Sequence, residues 1–359
     1  MVSIQRDPES IHAQLTEWVQ AKLPASEDVR LSPLVKPGLG FSNETWFADL
    51  SWREGGKERS ESLVFRLEPT GFFVFPEYDL PEQVQVMQSL GSTDIPVPEI
   101  LWLEEDRGVV GCPFYVMKKI EGRVPPDVPN YHAEGVFFDA PLESRAKMWW
   151  SGIETLAGIH TLDWKELGLS FLGVPEAGTG PLDRQLDYYD RYLEWAREGE
   201  PQPVLEAALR WLRENRYTPK RVALCWGDSR LSNMIFRDEK VAAVLDWEMA
   251  FLGDPEADFA WWLFFDWHHS EGTNTPRLEG LPTIEETIRR YEELTGWKTE
   301  QLHYQEVNAA CRFGVIMVSL VNNMKKRGLV PATSEMGLNN ATTQRLATLL
   351  DLPPPGSPA

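Results

Sequence analysis

The chain has 359 residues, of which 42% are hydrophobic, so it is long enough to bury a sizeable core and to form two lobes. Its 55 acidic residues outnumber its 35 basic residues and give a formal net charge of −20, which disfavours nucleic acid and anionic membranes as partners. The cysteines, Cys112, Cys225 and Cys311, have no paired spacing, so neither a disulfide framework nor a zinc site is predicted.

The N-terminal stretch lacks the apolar segment of a signal peptide. Apolar runs such as Phe259–Phe265 and Gly314–Met317 are far too short to span a membrane. We therefore expect a cytoplasmic protein.

The first third of the chain predicts a small lobe of antiparallel strands. Asp7 and Pro8 are typical of the start of a helix, and short alternating runs follow it. The predicted strands are Leu31–Val35, Thr45–Trp52, Ser62–Leu67, Ile100–Leu103 and Pro113–Lys119, with a hairpin turn at residues 54–57 and a helix at Pro81–Leu90.

The turn between the first two strands, residues 37–43, carries two closely spaced glycines, Gly38 and Gly40, and then Ser42 and Asn43. Backbone amides in such a turn can approach a phosphate, and the short polar side chains can do the same. An ordinary hairpin loop is the alternative interpretation.

The rest of the chain predicts a larger, mainly helical lobe after a proline-rich segment at Pro125–Tyr131. Apolar periodicity predicts helices at Leu142–His160, Pro181–Glu198, Phe259–Phe265, Pro282–Thr295, Tyr304–Arg327 and Ser334–Leu350. The predicted domains are residues 1–119 and 120–352, and residues 353–359 are expected to form a disordered tail.

Two apolar runs in the second half, Val222–Trp226 and Val241–Leu245, each end on an Asp-bearing turn. Asn233 lies five positions after Asp228, and Asp246 lies 18 positions after it. Phosphoryl transfer from a nucleotide needs a carboxylate at the acceptor hydroxyl, and an amide with a second carboxylate to hold Mg²⁺. Singly these are ordinary turn and capping residues, but their joint spacing favours a phosphotransfer site.

This stretch resembles the signature of the aminoglycoside phosphotransferase family, the small-molecule branch of the protein-kinase-like fold. The matching residues are Trp226-Gly227-Asp228, Asn233, Asp246-Trp247-Glu248 and Gly253-Asp254-Pro255 with Asp258. Trp226 stands where the family usually has a His that braces the loop. Asp258 is interpreted as a cap of the apolar helix that follows it.

The resemblance implies an α+β fold of two lobes, a small antiparallel β lobe and a larger, mainly helical one. It implies ATP as the donor, with GTP not excluded, and Mg²⁺ as the metal. Asp228 would be the catalytic residue, and Asn233 and Asp246 would be the metal ligands. The acceptor would be a hydroxyl on a small molecule such as an aminoglycoside, choline, homoserine, a sugar or a hydroxyacyl thioester.

The resemblance also assigns nucleotide contacts in the first lobe. Gly40, Ser42 and Asn43 would cover the phosphates, and the backbone of Lys118 and Ile120 would meet the adenine. Arg66 is the candidate for the phosphate-holding lysine of kinases, with Glu82 or Gln83 as its partner, because Ser62–Leu67 contains no lysine. An exposed strand arginine is the alternative.

In the helix at Pro181–Glu198, five acids form a stripe that includes Asp187, Asp190 and Glu194. A solvated acidic face is the simpler interpretation. In the family, acids from helices of the large lobe line the acceptor pocket, which would make these three residues acceptor contacts and favour a cationic acceptor.

A second function class is a nucleotide-binding pseudokinase that acts as a scaffold. The departures at Trp226 and Arg66 support it, whereas the intact Asp228, Asn233 and Asp246 favour an enzyme.

Overall fold

The computed structural model describes residues 7–36, 43–173 and 180–356 of the chain. The chain forms two compact units, Met1–Gln88 with Pro98–Ile120, and Ser89–Val97 with Glu121–Ala359. The first unit carries an antiparallel sheet, and the second carries most of the helices. The predicted α+β class, with a small antiparallel β lobe and a larger, mainly helical lobe, is therefore confirmed.

Up to residue 120 the described chain runs through α1 (Pro8–Lys22), β1 (Glu27–Leu31), β2 (Glu44–Glu54), β3 (Lys57–Leu67), α2 (Leu80–Leu90), β4 (Ile100–Glu104) and β5 (Phe114–Lys118). The strands form one antiparallel sheet in the order β1-β2-β3-β5-β4.

Local sequence explains the ends of two elements in this unit. Asp7 caps α1 by accepting a hydrogen bond from the Glu9 backbone N–H at 3.1 Å. Gly55 and Gly56 have φ angles of 54° and 77°, the left-handed conformation that a two-residue hairpin turn between β2 and β3 needs.

The core of the first unit lies between α1 and the sheet. Buried side chains of α1, among them Leu15 and Trp18, belong to one apolar cluster with Trp46 of β2, Phe65 of β3 and Phe114 of β5. Burial of this cluster is what fixes the helix against the sheet.

The predicted strand Leu31–Val35 is misplaced. The strand ends at Leu31, although the Ser32 backbone N–H still donates to the Asp49 backbone oxygen at 2.8 Å. Val35 pairs again as an isolated bridge to Phe47. Pro33 lies between them and has no backbone N–H to donate to a ladder, which accounts for the interruption.

The second unit contains α3 (Val136–Asp139), α4 (Leu142–His160), α5 (Pro181–Arg197), α6 (Pro203–Glu214), β6 (Ala223–Cys225), β7 (Met234–Arg237), β8 (Lys240–Val244), β9 (Phe251–Gly253), α7 (Pro255–His269), α8 (Ile284–Thr295), α9 (Leu302–Lys326) and α10 (Ala341–Leu349). Two short antiparallel pairs, β6 with β9 and β7 with β8, frame the loops that carry the motif residues.

α9 is the central helix of this unit, and α5, α6, α7 and α10 pack against it. Its length and composition are those of a membrane-spanning helix, but the central helix of a folded domain can have the same length and composition. In α9, 67% of the most apolar window is buried. Its apolar character is therefore explained by packing.

Several predicted boundaries in this unit need correction. The predicted helices do not include α6, and α7 extends beyond Phe259–Phe265 at both ends. α10 begins at Ala341 rather than Ser334. Asn340 caps it, because its side-chain oxygen accepts from the backbone N–H groups of Thr342 and Thr343. Of the predicted tail, residues 357–359 lie outside the described residues.

Candidate active site

The loop that follows β6 begins with a glycine that the backbone requires. Gly227 has a φ angle of 92°, and a Cβ added there would lie 1.9 Å from the backbone oxygen of Met249. No other residue could take this place without moving the loop, so the Gly-Asp order is explained by geometry.

The Asp228 side chain is nearly buried, with 13% of it exposed. Its Oδ2 accepts a hydrogen bond from Asn233 Nδ2 at 2.6 Å, and its Oδ1 accepts one from Trp261 Nε1 at 2.9 Å. Arg230 Nε lies 3.0 Å from both oxygens. The structure thus brings Asp228 and Asn233 together, as the spacing predicts.

Asp246 comes immediately after Leu245, whose backbone is hydrogen-bonded to the backbone of Asn233. The backbone N–H of Leu245 donates to the Asn233 backbone oxygen at 2.9 Å. Asp246 itself has a φ angle of 63°, an uncommon conformation for a residue other than glycine, which sets the direction of the turn after β8. The two predicted metal ligands therefore lie on adjoining loops.

The donor set suits Mg²⁺. Within the described ranges no group of three or more His, Cys, Asp or Glu side chains could hold a metal ion by itself. Mg²⁺ prefers oxygen ligands and is usually held by one or two protein groups together with substrate phosphates and water, so an Asn amide oxygen and an Asp carboxylate fit it.

Trp226, which replaces the expected His, links the two loops. Its side chain is fully buried, and its indole N–H donates to the Leu245 backbone oxygen at 2.8 Å. It also lies against Trp247, with ring centroids 6.0 Å apart. The substitution therefore gives the loop before Asp228 a direct contact with the turn that leads to Asp246.

The interpretation of Asp258 as a helix cap is wrong. Asp254 caps α7, accepting from the Glu256 backbone N–H at 3.0 Å, whereas Asp258 is completely buried in the first turn. Asp258 accepts from the backbone N–H groups of Trp226 and Gly227, the latter at 2.8 Å. Since a buried carboxylate needs such donors, Asp258 braces the loop that carries Asp228.

Other side chains support this brace. Ser229 Oγ donates to the Asp258 backbone oxygen at 2.6 Å, and His160 Nε2 lies 3.3 Å from the Asp258 carboxylate. Arg312, also buried, donates to the Gly227 backbone oxygen at 2.8 Å and stacks on Trp261, with its guanidinium carbon 4.4 Å from the ring centre. The loop is thus held from α4, α7 and α9.

Arg230 and Asp127 belong to the site although no motif pointed to them. Arg230 Nη1 donates to Asp127 Oδ2 at 2.6 Å. Burial alone would lower the pKa of Arg230, but Asp228 and Asp127 raise it. Burial alone would raise the pKa of Asp127, but Arg230 and then His269 hold it below its ordinary value. Both groups are therefore charged around neutral pH.

In the first unit the proposed nucleotide contacts are described only in part. Gly40 and Ser42 lie outside the described residues, and Asn43 is buried. Arg66 Nη1 donates to Thr45 Oγ1 on the paired strand at 3.2 Å. Its pairing with Glu82 or Gln83 stays a prediction.

The two backbone contacts expected for adenine also stay predictions. The Lys118 backbone N–H already donates to the Glu99 backbone oxygen at 2.9 Å, and its ammonium group pairs with the Glu99 carboxylate at 2.6 Å. Only its carbonyl oxygen could therefore serve a base, together with the backbone of Ile120, which is half-buried.

Basic side chains offset part of the acidic charge on α5: Arg213 comes from α6, and Arg197 is the last residue of α5 itself. Arg213 donates to Asp187 at 2.7 Å and also to Asp190, and Arg197 pairs with Glu194 at 2.5 Å. An open groove of ≈ 500 Å³ lies between the two helices, and its charged lining is Asp190, Glu194, Arg197, Glu206, Arg210 and Arg213. The role of these acids in acceptor binding stays a prediction.

Comparisons with known proteins point to one family and one fold. The sequence model described as "Phosphotransferase enzyme family" (APH) matches residues 34–298. Acyl-CoA dehydrogenase family member 10 of Mus musculus is 30% identical over 269 residues, which make up 70% of this chain but only 23% of the mouse protein. The chain thus spans about a quarter of that relative.

Solved structures show the fold. A Ralstonia eutropha protein assigned to the aminoglycoside phosphotransferases matches with a TM-score of 0.66 and 24% identity, covering 94% of this chain and 95% of that one. A thermostable mutant of aminoglycoside phosphotransferase APH(4)-Ia, in a ternary complex with ADP and hygromycin B, matches with a TM-score of 0.55 and 17% identity, covering 94% and 98%. The predicted protein-kinase-like fold is confirmed.

Proposed function

The chain belongs to the phosphotransferase enzyme family, and we propose that it transfers the γ-phosphoryl group of ATP to a hydroxyl of a small molecule, with Mg²⁺ as the metal. The observation that carries the proposal is the nearly buried Asp228 carboxylate, hydrogen-bonded to Asn233, whose backbone is tied to the residue before Asp246. GTP is the alternative donor, because base recognition through backbone groups leaves little trace in the sequence.

Each of the three side chains has a distinct task in this proposal. Asp228 orients the acceptor hydroxyl and takes its proton on a carboxylate oxygen. Asn233 donates its amide N–H to Asp228, which leaves its amide oxygen to hold Mg²⁺ together with the Asp246 carboxylate. When bound, the metal would supply positive charge to the phosphates. In the first unit, Asn43 and Arg66 are the proposed phosphate contacts.

Asp246 provides the first test of the metal assignment. A ligand that binds only the folded protein stabilises it, by about 2.7 kcal/mol at a hundred times its Kd. Mg-ATP is therefore expected to raise the melting temperature of the wild-type protein, and Asp246→Ala is expected to abolish that increment. The measurement is a thermal shift with ATP in the presence and absence of Mg²⁺.

Asp94→Ala is the matched control, since Asp94 is an exposed carboxylate of the same unit. It should keep the full increment. An Asp246→Ala protein that responds to Mg-ATP as strongly as the wild type would remove Asp246 from the metal site.

We also propose that the acceptor is cationic and is bordered by α5. Replacing Asp187, Asp190 and Glu194 with Asn, Asn and Gln should raise the KM for a cationic acceptor. Arg213 and Arg197 already offset part of the acidic charge, so a rise of only a few-fold is expected. Exposed charges are screened, so the rise should shrink as salt is added.

The control removes the same charge elsewhere, by neutralising the exposed Asp94, Glu166 and Glu335. If both triple variants raise KM equally, the effect belongs to overall charge and not to α5. An unchanged KM in the α5 variant, or a preferred acceptor that is neutral or anionic, would contradict this part of the proposal.

We also propose a cytoplasmic location, on the basis of the cysteines. Cys112, Cys225 and Cys311 are all free and buried. Such an arrangement suits a reducing compartment.

A further inference from the structure

The catalytic carboxylate is surrounded by donors on both of its oxygens. Arg230 Nε lies 3.0 Å from each oxygen, Asn233 Nδ2 lies 2.6 Å from Oδ2, and Trp261 Nε1 lies 2.9 Å from Oδ1. Because an ionised carboxylate has about four lone-pair sites, these contacts fix the direction in which Asp228 can meet a hydroxyl. A small error in that direction is costly, since phosphotransfer depends mainly on positioning.

The three donors are not held equally. Trp261 is buried in α7, and Asn233 is buried with both its backbone N–H and its backbone oxygen hydrogen-bonded. Arg230 lies on the loop itself and has a long, flexible side chain. Its orientation therefore depends on what holds the far end of the guanidinium group.

Asp127 holds that far end. Its Oδ2 accepts from Arg230 Nη1 at 2.6 Å, and its Oδ1 lies 3.4 Å from His269 Nε2. The guanidinium group also lies over Phe265, with its carbon 5.1 Å from the ring centre. The guanidinium group of Arg230 thus contacts the carboxylates of Asp127 and Asp228 while it lies over the ring of Phe265. A planar group with several N–H donors is suited to such an arrangement.

We propose that Asp127 is a positioning residue for phosphotransfer, which acts on Asp228 through Arg230. This inference rests on the proposed function, because it assigns Asp228 as the reacting carboxylate. Asp127 does not touch the reacting atoms. When its carboxylate is removed, Arg230 loses the anchor of its far end, and the orientation of Asp228 is no longer fixed.

The test uses Mg-ATP with water as the acceptor, so that no acceptor needs to be known. Asp127→Asn keeps the size of the side chain and one oxygen acceptor but removes its charge, so it weakens the hold on Arg230. It should lower kcat for hydrolysis by on the order of 10-fold, with the KM for Mg-ATP changed by less than about two-fold. Arg230→Gln should lower kcat at least as much. The double variant should be no slower than Arg230→Gln alone, because Asp127 acts only through Arg230.

Glu154→Gln is the matched control, since Glu154 pairs at 3.0 Å with Arg290 in an exposed ion pair. It should leave kcat unchanged. If Arg230→Gln does not fold, Arg230→Lys replaces it in the cycle, since lysine keeps the charge but cannot contact both carboxylates in the same way.

Two results would overturn the proposal. One is an unchanged kcat in folded Asp127→Asn, whether or not its melting temperature is lower, and the other is losses that multiply in the double variant. If the wild-type protein neither hydrolyses nucleotide nor phosphorylates any acceptor, the proposed function itself has failed. Crystal structures then decide the positioning role: a rotated Asp228 carboxylate in Asp127→Asn supports it, and an unmoved one overturns it.

Discussion

Replacing Asp228 with Asn is expected to lower turnover by on the order of 10²-fold or more and to leave nucleotide binding intact. An amide has nearly the shape of the carboxylate, so the hydrogen bonds from Trp261 and Asn233 can persist in part. It has far less tendency to take a proton, so the acceptor hydroxyl would no longer be activated. Steady-state kinetics with Mg-ATP, beside a thermal shift with the same ligand, separates the two effects.

Asp94→Asn is the matched control for this substitution and should change neither quantity. A folded Asp228→Asn protein with full activity would remove Asp228 from the mechanism. Loss of the thermal shift together with turnover would instead place Asp228 among the nucleotide-binding groups.

Among the substitutions proposed above and here, Asp258→Ala is expected to lower the stability of the folded protein most. The carboxylate is completely buried and accepts hydrogen bonds from two backbone N–H groups of the catalytic loop. Each buried donor that loses its partner costs about 1–3 kcal/mol, so the free energy of unfolding should fall by about 3 kcal/mol or more. Denaturant unfolding of the wild-type and variant proteins measures this difference.

Asp258→Asn distinguishes the brace from a general packing effect. It keeps one oxygen acceptor and the volume of the side chain, so its loss of stability should be clearly smaller than that of Asp258→Ala. Equal losses in the two variants would mean that the hydrogen bonds to the loop are not what Asp258 contributes.

Much of the candidate site could be predicted from the sequence because its residues are local. Asp228, Asn233 and Asp246 lie within 19 consecutive residues, and the two strand ends that carry them are visible as apolar runs. Gly227 is tied to a φ angle that other residues rarely adopt. Spacing and turn chemistry are therefore enough to bring these groups together.

The remaining contacts depend on tertiary structure that no local pattern records. Arg230 and Asp127 are 103 positions apart, and each by itself is an ordinary charged residue of a loop. The acidic stripe on α5 was visible, but Arg213, which neutralises part of it, comes from α6. Periodicity identifies a charged face, but it does not show which face of another helix lies opposite.

Trp226 illustrates the same limit at a single position. The sequence shows that the expected His is absent, but it does not show what holds the loop instead. The buried Asp258 holds the loop through backbone N–H groups, which every residue except proline possesses. A tryptophan can thus stand at position 226 in place of the His, because the hydrogen bonds from Asp258 do not depend on the side chain at that position.

The central claim is phosphoryl transfer from a nucleotide to a hydroxyl, and product detection tests it most directly. Purified protein is incubated with Mg-ATP or Mg-GTP and a panel of aminoglycosides, other hydroxylated antibiotics, sugars, amino alcohols and hydroxyacyl thioesters. Mass spectrometry then follows each acceptor. We predict that at least one acceptor gains a phosphoryl group in a Mg²⁺-dependent reaction, which Asp228→Asn slows by on the order of 10²-fold or more. Nucleotide binding without any phosphorylated product or nucleotide consumption would contradict the account and favour a nucleotide-binding scaffold.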